Sequence, residues 1–241
     1  MNYLRSLVYR SFVLGCRVYR KAFLDVRVLG RENIPKGPKI FITNHITSTD
    51  PYWVLPVFPE PVHVIIGPGY QSKALARVLD YLEQINAMPD HRHTVVDEAV
   101  KYLQRGESVY TAPEGDIQDQ FQLGRFYPGA ARIYRRTLAP IVPIALVAPP
   151  CSLVEFPRLA MSVEGRTYRA AFVLRGRYDI AVGEPLRPRL RDDVDEKTDD
   201  ERIMSEIRQR MAELIDGVRA RVPTLHGRPD AAPKAPPILT R

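Results

Sequence analysis

The sequence predicts an α/β fold: a central mixed, largely parallel sheet flanked by helices, with an N-terminal amphipathic helix ahead of it. Three observations carry that expectation. Short apolar runs alternate with helical periods over most of residues 25–147, as in a sheet with helices packed on its faces. Two polar segments, 44–50 and 113–116, each follow such a run directly, where open α/β sheets place their ligands. The 241 residues, 45% hydrophobic and 26% charged, suit one globular domain with a substantial core.

Residues 1–24 read as the amphipathic helix. At about 100° per residue, Leu4, Leu7, Val8, Phe12, Leu14, Val18, Tyr19 and Ala22 share one broad face, and Arg10, Arg17, Arg20 and Lys21 gather on another. Such a helix either lies in a membrane interface or packs its apolar face on the domain with the basic side solvated. Residues 25–29 alternate as a strand that Gly30 ends, 33–38 form a turn, and 40–43 are a short buried strand. Asp50-Pro51 starts a helix, with Asp50 as its cap and Pro51 in its first position. Residues 62–66 and 108–111 read as strands, 72–82 and 94–104 as helices, the second stopped at Gly106. A short helix over 128–137 precedes a buried strand at 141–147, and 168–174 with 178–182 read as a strand pair. Thr198 is expected to cap a last helix. Asp199, Asp200 and Glu201 suit its first turn, and Ile203, Ile207, Met211, Leu214 and Val218 form its inner stripe. The domain then spans 25–222, and the proline-rich 223–241 reads as a disordered tail.

The formal net charge is +7. Most of the excess lies in residues 1–36, where eight basic side chains face two acidic ones, Asp25 and Glu32. Anionic partners follow. The basic charge sits on an apolar-backed helix and no nucleic-acid motif occurs, so an anionic membrane surface is expected rather than nucleic acid. The two cysteines, Cys16 and Cys151, form no CxxC or Cys/His pattern, which implies reduced thiols and no metal site. The longest charge-free run, residues 137–154, carries four prolines and does not read as a membrane span. Arg10, Arg17 and Arg20 interrupt the N-terminal apolar run, so no signal peptide is expected.

His45 and Asp50 are the first candidate site. Five residues apart on a helix they would lie about 140° apart, but across a strand-to-helix turn they can meet. A carboxylate on one imidazole nitrogen fixes the tautomer and leaves the other to take a proton from a hydroxyl. No GxSxG nucleophile elbow occurs, which favours direct attack by a substrate hydroxyl over a covalent intermediate. The alternative is a strand-end histidine bonded to the backbone. Pro113-Glu114-Gly115 is the second candidate: a glycine admits close backbone approach, and the acid can receive a hydroxyl or hold a loop, or the segment is only a turn. Arg125, Arg132, Arg135 and Arg136 either meet an anionic partner or form a solvated face.

Asn44-His45-(four residues)-Asp50 followed by Pro113-Glu114-Gly115 resembles the 1-acylglycerol-3-phosphate acyltransferase family. The further segments Leu29-Gly30-Arg31-Glu32-Asn33-Ile34-Pro35, Asn86 to Arg92, Phe126 to Ala131, Ile141-Val142-Pro143-Ile144 and Val182-Gly183-Glu184-Pro185-Leu186 resemble that family's in the same order, so the likeness covers about residues 25–190. The resemblance implies transfer of a fatty acyl group from acyl-CoA or acyl-carrier protein to a lipid hydroxyl. His45 and Asp50 would be catalytic, with Asn44, Arg92, Glu114 and Gly115 around the substrate and Arg92 on an anionic headgroup. It implies no cofactor beyond the donor substrate, and a peripheral or monotopic place at the cytoplasmic face of a membrane. In many family members Thr-Arg-Ser follows the Glu-Gly. Here Asp116-Ile117-Gln118 stands there, removing a cation and adding an acid, which disfavours a phosphate dianion and predicts weak turnover of lysophosphatidic acid. A non-catalytic lipid-binding or scaffold member of the same fold is the alternative reading.

Overall fold

A computed structural model describes residues 3–118 and 122–221. In chain order, α1 (Tyr3–Phe23) and β1 (Leu24–Leu29) lead to β2 (Ile40–Thr43), α2 (Asp50–Val54), β3 (Val62–Ile66), α3 (Lys73–Tyr81), β4 (Ile85–Asn86) and α4 (Val95–Gln104). Next come β5 (Ser108–Thr111), α5 (Gly129–Thr137) and β6 (Ile141–Val147). The chain then runs through β7 (Leu153–Glu155), β8 (Met161–Val163), β9 (Arg166–Tyr168), β10 (Ala171–Val173), β11 (Gly176–Val182) and α6 (Glu196–Ala220).

Seven strands form one sheet in the order β1-β11-β6-β2-β5-β3-β4. Its neighbours run parallel except β11 and β6, which are antiparallel. This is the mixed, largely parallel sheet that the sequence predicts. The central strands are covered on both sides, which is why they read as continuous apolar runs. Period-2 alternation divides them. Ile40 and Ile42 face the core made with α4, α5 and α6, including Val100, Ile133, Ile207 and Met211. Phe41 and Tyr110 face the other core, with Tyr9 and Val13 of α1, Trp53 of α2 and Phe58.

Helix α1 docks by an unexpected face. It buries Tyr9, Val13 and Cys16, and its basic flank turns partly inward: Arg20 Nη1 donates to Trp53 O at 2.8 Å and Arg17 Nη2 to Pro56 O at 3.4 Å. Leu4, Leu7, Leu14 and Val18 are left exposed. Packing of the predicted apolar face on the domain is therefore not what occurs. No helix among the described residues is long and apolar enough to cross a membrane.

Three local expectations are corrected. Residues 168–174 and 178–182 do not pair with each other. β11 is drawn into the main sheet between β1 and β6, while β7 pairs with β10 and β8 with β9 in two small antiparallel ribbons. The cap of α6 is Asp195, whose side chain accepts from Thr198 N at 3.0 Å; Thr198 is the residue it caps. Asp50 does not cap α2 either. Its carboxylate turns back onto the preceding loop, because that loop presents more donors than the helix start does. The inner stripe of α6 is buried at Ile203, Ile207, Met211 and Val218, joined by Met204 and Ile215, with Leu214 partly buried. The predicted tail, 223–241, lies outside the described residues.

Candidate active site

Strand β2 ends at Thr43, and the next six residues form a loop wrapped around the Asp50 carboxylate. Asp50 is fully buried. Its Oδ2 accepts from Ile46 N at 2.8 Å and Thr47 N at 2.9 Å, and its Oδ1 accepts from Thr47 Oγ1 at 2.6 Å and Tyr178 OH at 2.8 Å. Four donors on this buried side chain fix it in one orientation. Burial beside this carboxylate pushes the Tyr178 phenol well above its usual range, so it stays a donor.

His45 Nδ1 lies 2.9 Å from Asp50 Oδ2. The acceptor carboxylate places the imidazole proton on Nδ1, so Nε2 is the basic nitrogen. None of the described hydrogen bonds uses Nε2. Burial disfavours the imidazolium, but the Asp50 hydrogen bond and the Asp50, Glu114 and Asp116 carboxylates outweigh it, and the His45 pKa is raised. The two residues that strand-to-turn reasoning paired are thus in contact.

Glu114 and Asn44 both line the cavity beside His45 and bond to nearby backbone. Glu114 is buried, with Oε2 accepting from His45 N at 2.7 Å and Oε1 from Gly124 N at 2.7 Å. Its pKa is raised by burial, against those two amides. Asn44 Nδ2 donates to Leu146 O at 2.9 Å and Oδ1 accepts from Leu146 N at 2.7 Å, which extends the β2–β6 pairing by one rung. Its amide lines the cavity wall with both ends already bonded. Gly115 turns the chain at φ 66°, a left-handed conformation that favours glycine. Ile117 is buried and Gln118 N donates to His45 O at 2.8 Å.

A cavity of about 180 Å³ opens at His45, walled by Asn44, Glu114, Gln118 and Leu123 and, from α6, by Arg208, Ile215 and Arg219. Arg92 does not line it. It is exposed and follows β4 by six residues; the β4 axis lies three strands from β2, on the order of 14 Å at ordinary strand spacing. The arginines of α5 are mostly engaged: Arg135 with Asp199 at 2.8 Å and Asp200 at 3.0 Å, Arg136 with Asp97 at 2.5 Å, and Arg132 with Asp200 at 3.6 Å. The predicted charge conflict at Asp116 is offset within the fold, since Arg166 Nη2 stands 3.1 Å from its carboxylate.

Sequence reasoning missed two contributors. Tyr178, on β11, holds the Asp50 carboxylate from 128 residues away in sequence. Arg208 of α6 donates from Nε to Gly124 O at 3.0 Å and from Nη2 to Leu123 O at 2.7 Å, fixing the segment whose amide holds Glu114. Neither carries a local signal. Tyr178 reads as one apolar position in a strand and Arg208 as one arginine on the polar face of a long helix.

Residues 25–147 match the acyltransferase family, just over half of the chain, and the chain belongs to that family. It is 25% identical over 138 residues to 1-acyl-sn-glycerol-3-phosphate acyltransferase LPAT1, chloroplastic, of Arabidopsis thaliana, covering 52% of this chain and 36% of that protein. It is 21% identical over 132 residues to the probable 1-acyl-sn-glycerol-3-phosphate acyltransferase of Mycoplasma pneumoniae, covering 52% of this chain and 50% of that one. The matched region therefore spans half or less of these relatives. Among solved structures, the 1-acyl-sn-glycerophosphate acyltransferase PlsC from Thermotoga maritima superposes with a TM-score of 0.59 at 20% identity, over 87% of this chain and 81% of that one, and shares the fold.

Proposed function

We propose that the protein is an O-acyltransferase that moves a fatty acyl group from acyl-CoA or acyl-carrier protein to a hydroxyl of a lysophospholipid or related lipid. The observation that carries this reading is the His45–Asp50 contact of 2.9 Å on Nδ1, in a histidine that lines a cavity. His45 Nε2 takes the acceptor's hydroxyl proton. The oxygen attacks the thioester carbonyl, a tetrahedral intermediate forms, and the carbon–sulfur bond breaks as the imidazolium returns the proton to the thiolate. Asp50 keeps the tautomer and stabilises the imidazolium. Arg92, which does not line the His45 cavity, suits a distal anionic group of the acceptor better than an atom near the reacting hydroxyl.

The exposed apolar stripe of α1 supports a peripheral seat on an anionic membrane, with Arg10, Arg17 and Lys21 along its flank. The exposed free thiol of Cys151 fits the reducing cytoplasmic face. His45→Ala tests the chemistry. Transfer from oleoyl-CoA, with acceptors drawn from the lipids of the source cells and product read by mass spectrometry, is expected to vanish while the melting temperature holds. Activity retained in that variant would overturn the mechanism. Activity absent from the unaltered protein with every acceptor would favour the lipid-binding or scaffold reading.

A further inference from the structure

We propose that the excursion between β6 and β11 is a second membrane-contacting surface, fitted to an anionic bilayer and set beside the His45 loop. The inference rests on the reading of α1 as membrane-facing and adds a separate element to it. Within eight residues the excursion exposes four large apolar side chains: Val154 at 41%, Phe156 at 39%, Leu159 at 56% and Met161 at 36%. Scattered single exposures are ordinary, but a contiguous set marks an interaction site. The local structure produces the set. β7 turns Leu153 toward the core and Val154 outward. Phe156 meets Phe172 edge-on with ring centroids 5.5 Å apart, which holds the outward turn at 157–159.

The charge around these side chains is basic. Arg158, Arg166, Arg169 and Arg175 are exposed, against Glu155 and Glu164. Arg169 pairs with Glu155 and Arg166 with Asp116. No described ion pair involves Arg158 or Arg175. An apolar tip with a cationic rim is the chemistry of an element that sits at the headgroup–acyl boundary of anionic lipid.

The position of the excursion commits the occupant. It is bonded to the loop that carries His45 and to the helix that follows it: Ser48 N donates to Ala171 O at 2.7 Å, Val173 N donates to Thr49 Oγ1 at 3.1 Å, and Trp53 Nε1 of α2 donates to Val173 O at 2.9 Å. It is also bonded to α1, where Tyr19 OH donates to Leu174 O at 2.9 Å, and Leu174 is itself exposed. The apolar surface of α1 is therefore continuous with an element that touches the candidate active-site loop. A bilayer seated on both would lie against residues 48–53, which follow His45 in the chain.

The test places a polarity-sensitive label in the full chain. In a Cys151→Ser background, Leu159→Cys is labelled with a nitrobenzoxadiazole dye and mixed with phosphatidylcholine vesicles with or without phosphatidylglycerol. The expected result is a blue shift and brightening on the anionic vesicles. Phe156→Ser with Leu159→Ser, unlabelled, is expected to weaken co-sedimentation with those vesicles by about tenfold or more, from the loss of two buried apolar side chains. Leu7→Ser with Val18→Ser reports the α1 contribution separately. A label that keeps its aqueous emission while the protein sediments overturns the proposal and leaves α1 as the contact. Failure to sediment with either vesicle overturns both. Acyl transfer measured in detergent micelles is independent of these readouts, so loss of the membrane surface and loss of the chemistry are told apart.

Discussion

Replacing Asp50 with asparagine separates the role of the carboxylate's charge from the role of its shape. The oxygen that faces Ile46 N, Thr47 N and His45 Nδ1 can be kept as the amide oxygen. The amide nitrogen then takes the place of the oxygen that faces two hydroxyls, Thr47 Oγ1 and Tyr178 OH, and both can reverse from donor to acceptor. The fold is therefore retained, at a cost of about 1–3 kcal/mol as charge-assisted bonds become neutral ones. The tautomer is retained as well. What is lost is the counterion of the imidazolium, roughly 1.5–3 kcal/mol for one charge-assisted bond, or about 10- to 150-fold in kcat. The pH profile supplies the sharper signature. The surrounding carboxylates raise the His45 pKa, Asp50 foremost among them, so removing that charge lowers it. The base form is the one present above the pKa, and the acid limb of kcat/KM moves to lower pH in Asp50→Asn. The stability linkage has a matching sign: a raised histidine pKa stabilises the fold below the unfolded value and ceases to do so as pH rises through the folded value. The stability gap between Asp50→Asn and the unaltered protein is thus wider near pH 5.5 than near pH 9, about a unit below and well above the ordinary histidine value, as read by urea titration. An acid limb that stays in place or moves upward, in a variant that folds, would refute the base–orienter assignment.

Three further outcomes are expected. Arg208→Ala removes the bonds to Leu123 O and Gly124 O and loosens the amide that holds Glu114; kcat falls several-fold at nearly constant melting temperature, hydrogen exchange at Gly124 rises, and Arg208→Lys, which lacks the fork, rescues poorly. Gly115→Ala costs about 1–2 kcal/mol by urea denaturation, because a left-handed φ penalises any Cβ, whereas the nearest ring, Tyr127, at 3.6 Å, is an ordinary contact. Turnover of lysophosphatidic acid is weak beside that of a standard family enzyme, since Ile117 is buried where a cation is common and Arg92 does not line the His45 cavity; comparable turnover would refute this.

The fold class and the His45–Asp50 contact were both legible in the chain's local pattern. Apolar runs such as Ile40–Ile42 and Ile141–Val147 have the length and composition expected of a doubly covered strand, and a polar segment after a strand lies at the sheet edge by construction. His45 and Asp50 are close in the chain, so the turn between them sufficed to pair them. The tertiary structure alone decided what depends on distant partners. β11 joined β1 and β6 rather than its neighbour in sequence, because the interior offered it two partners at once. Asp50 turned away from its helix because Tyr178 and the loop amides supplied better donors. The orientation of α1 was likewise a matter of docking: periodicity finds two faces, but which one meets the domain depends on the carbonyls of Trp53 and Pro56 that receive Arg20 and Arg17. Arg208 joined the site only because α6 returns across the edge of the sheet. Short-range pattern fixes which side chains can meet locally, and long-range packing selects the hydrogen bonds that hold them.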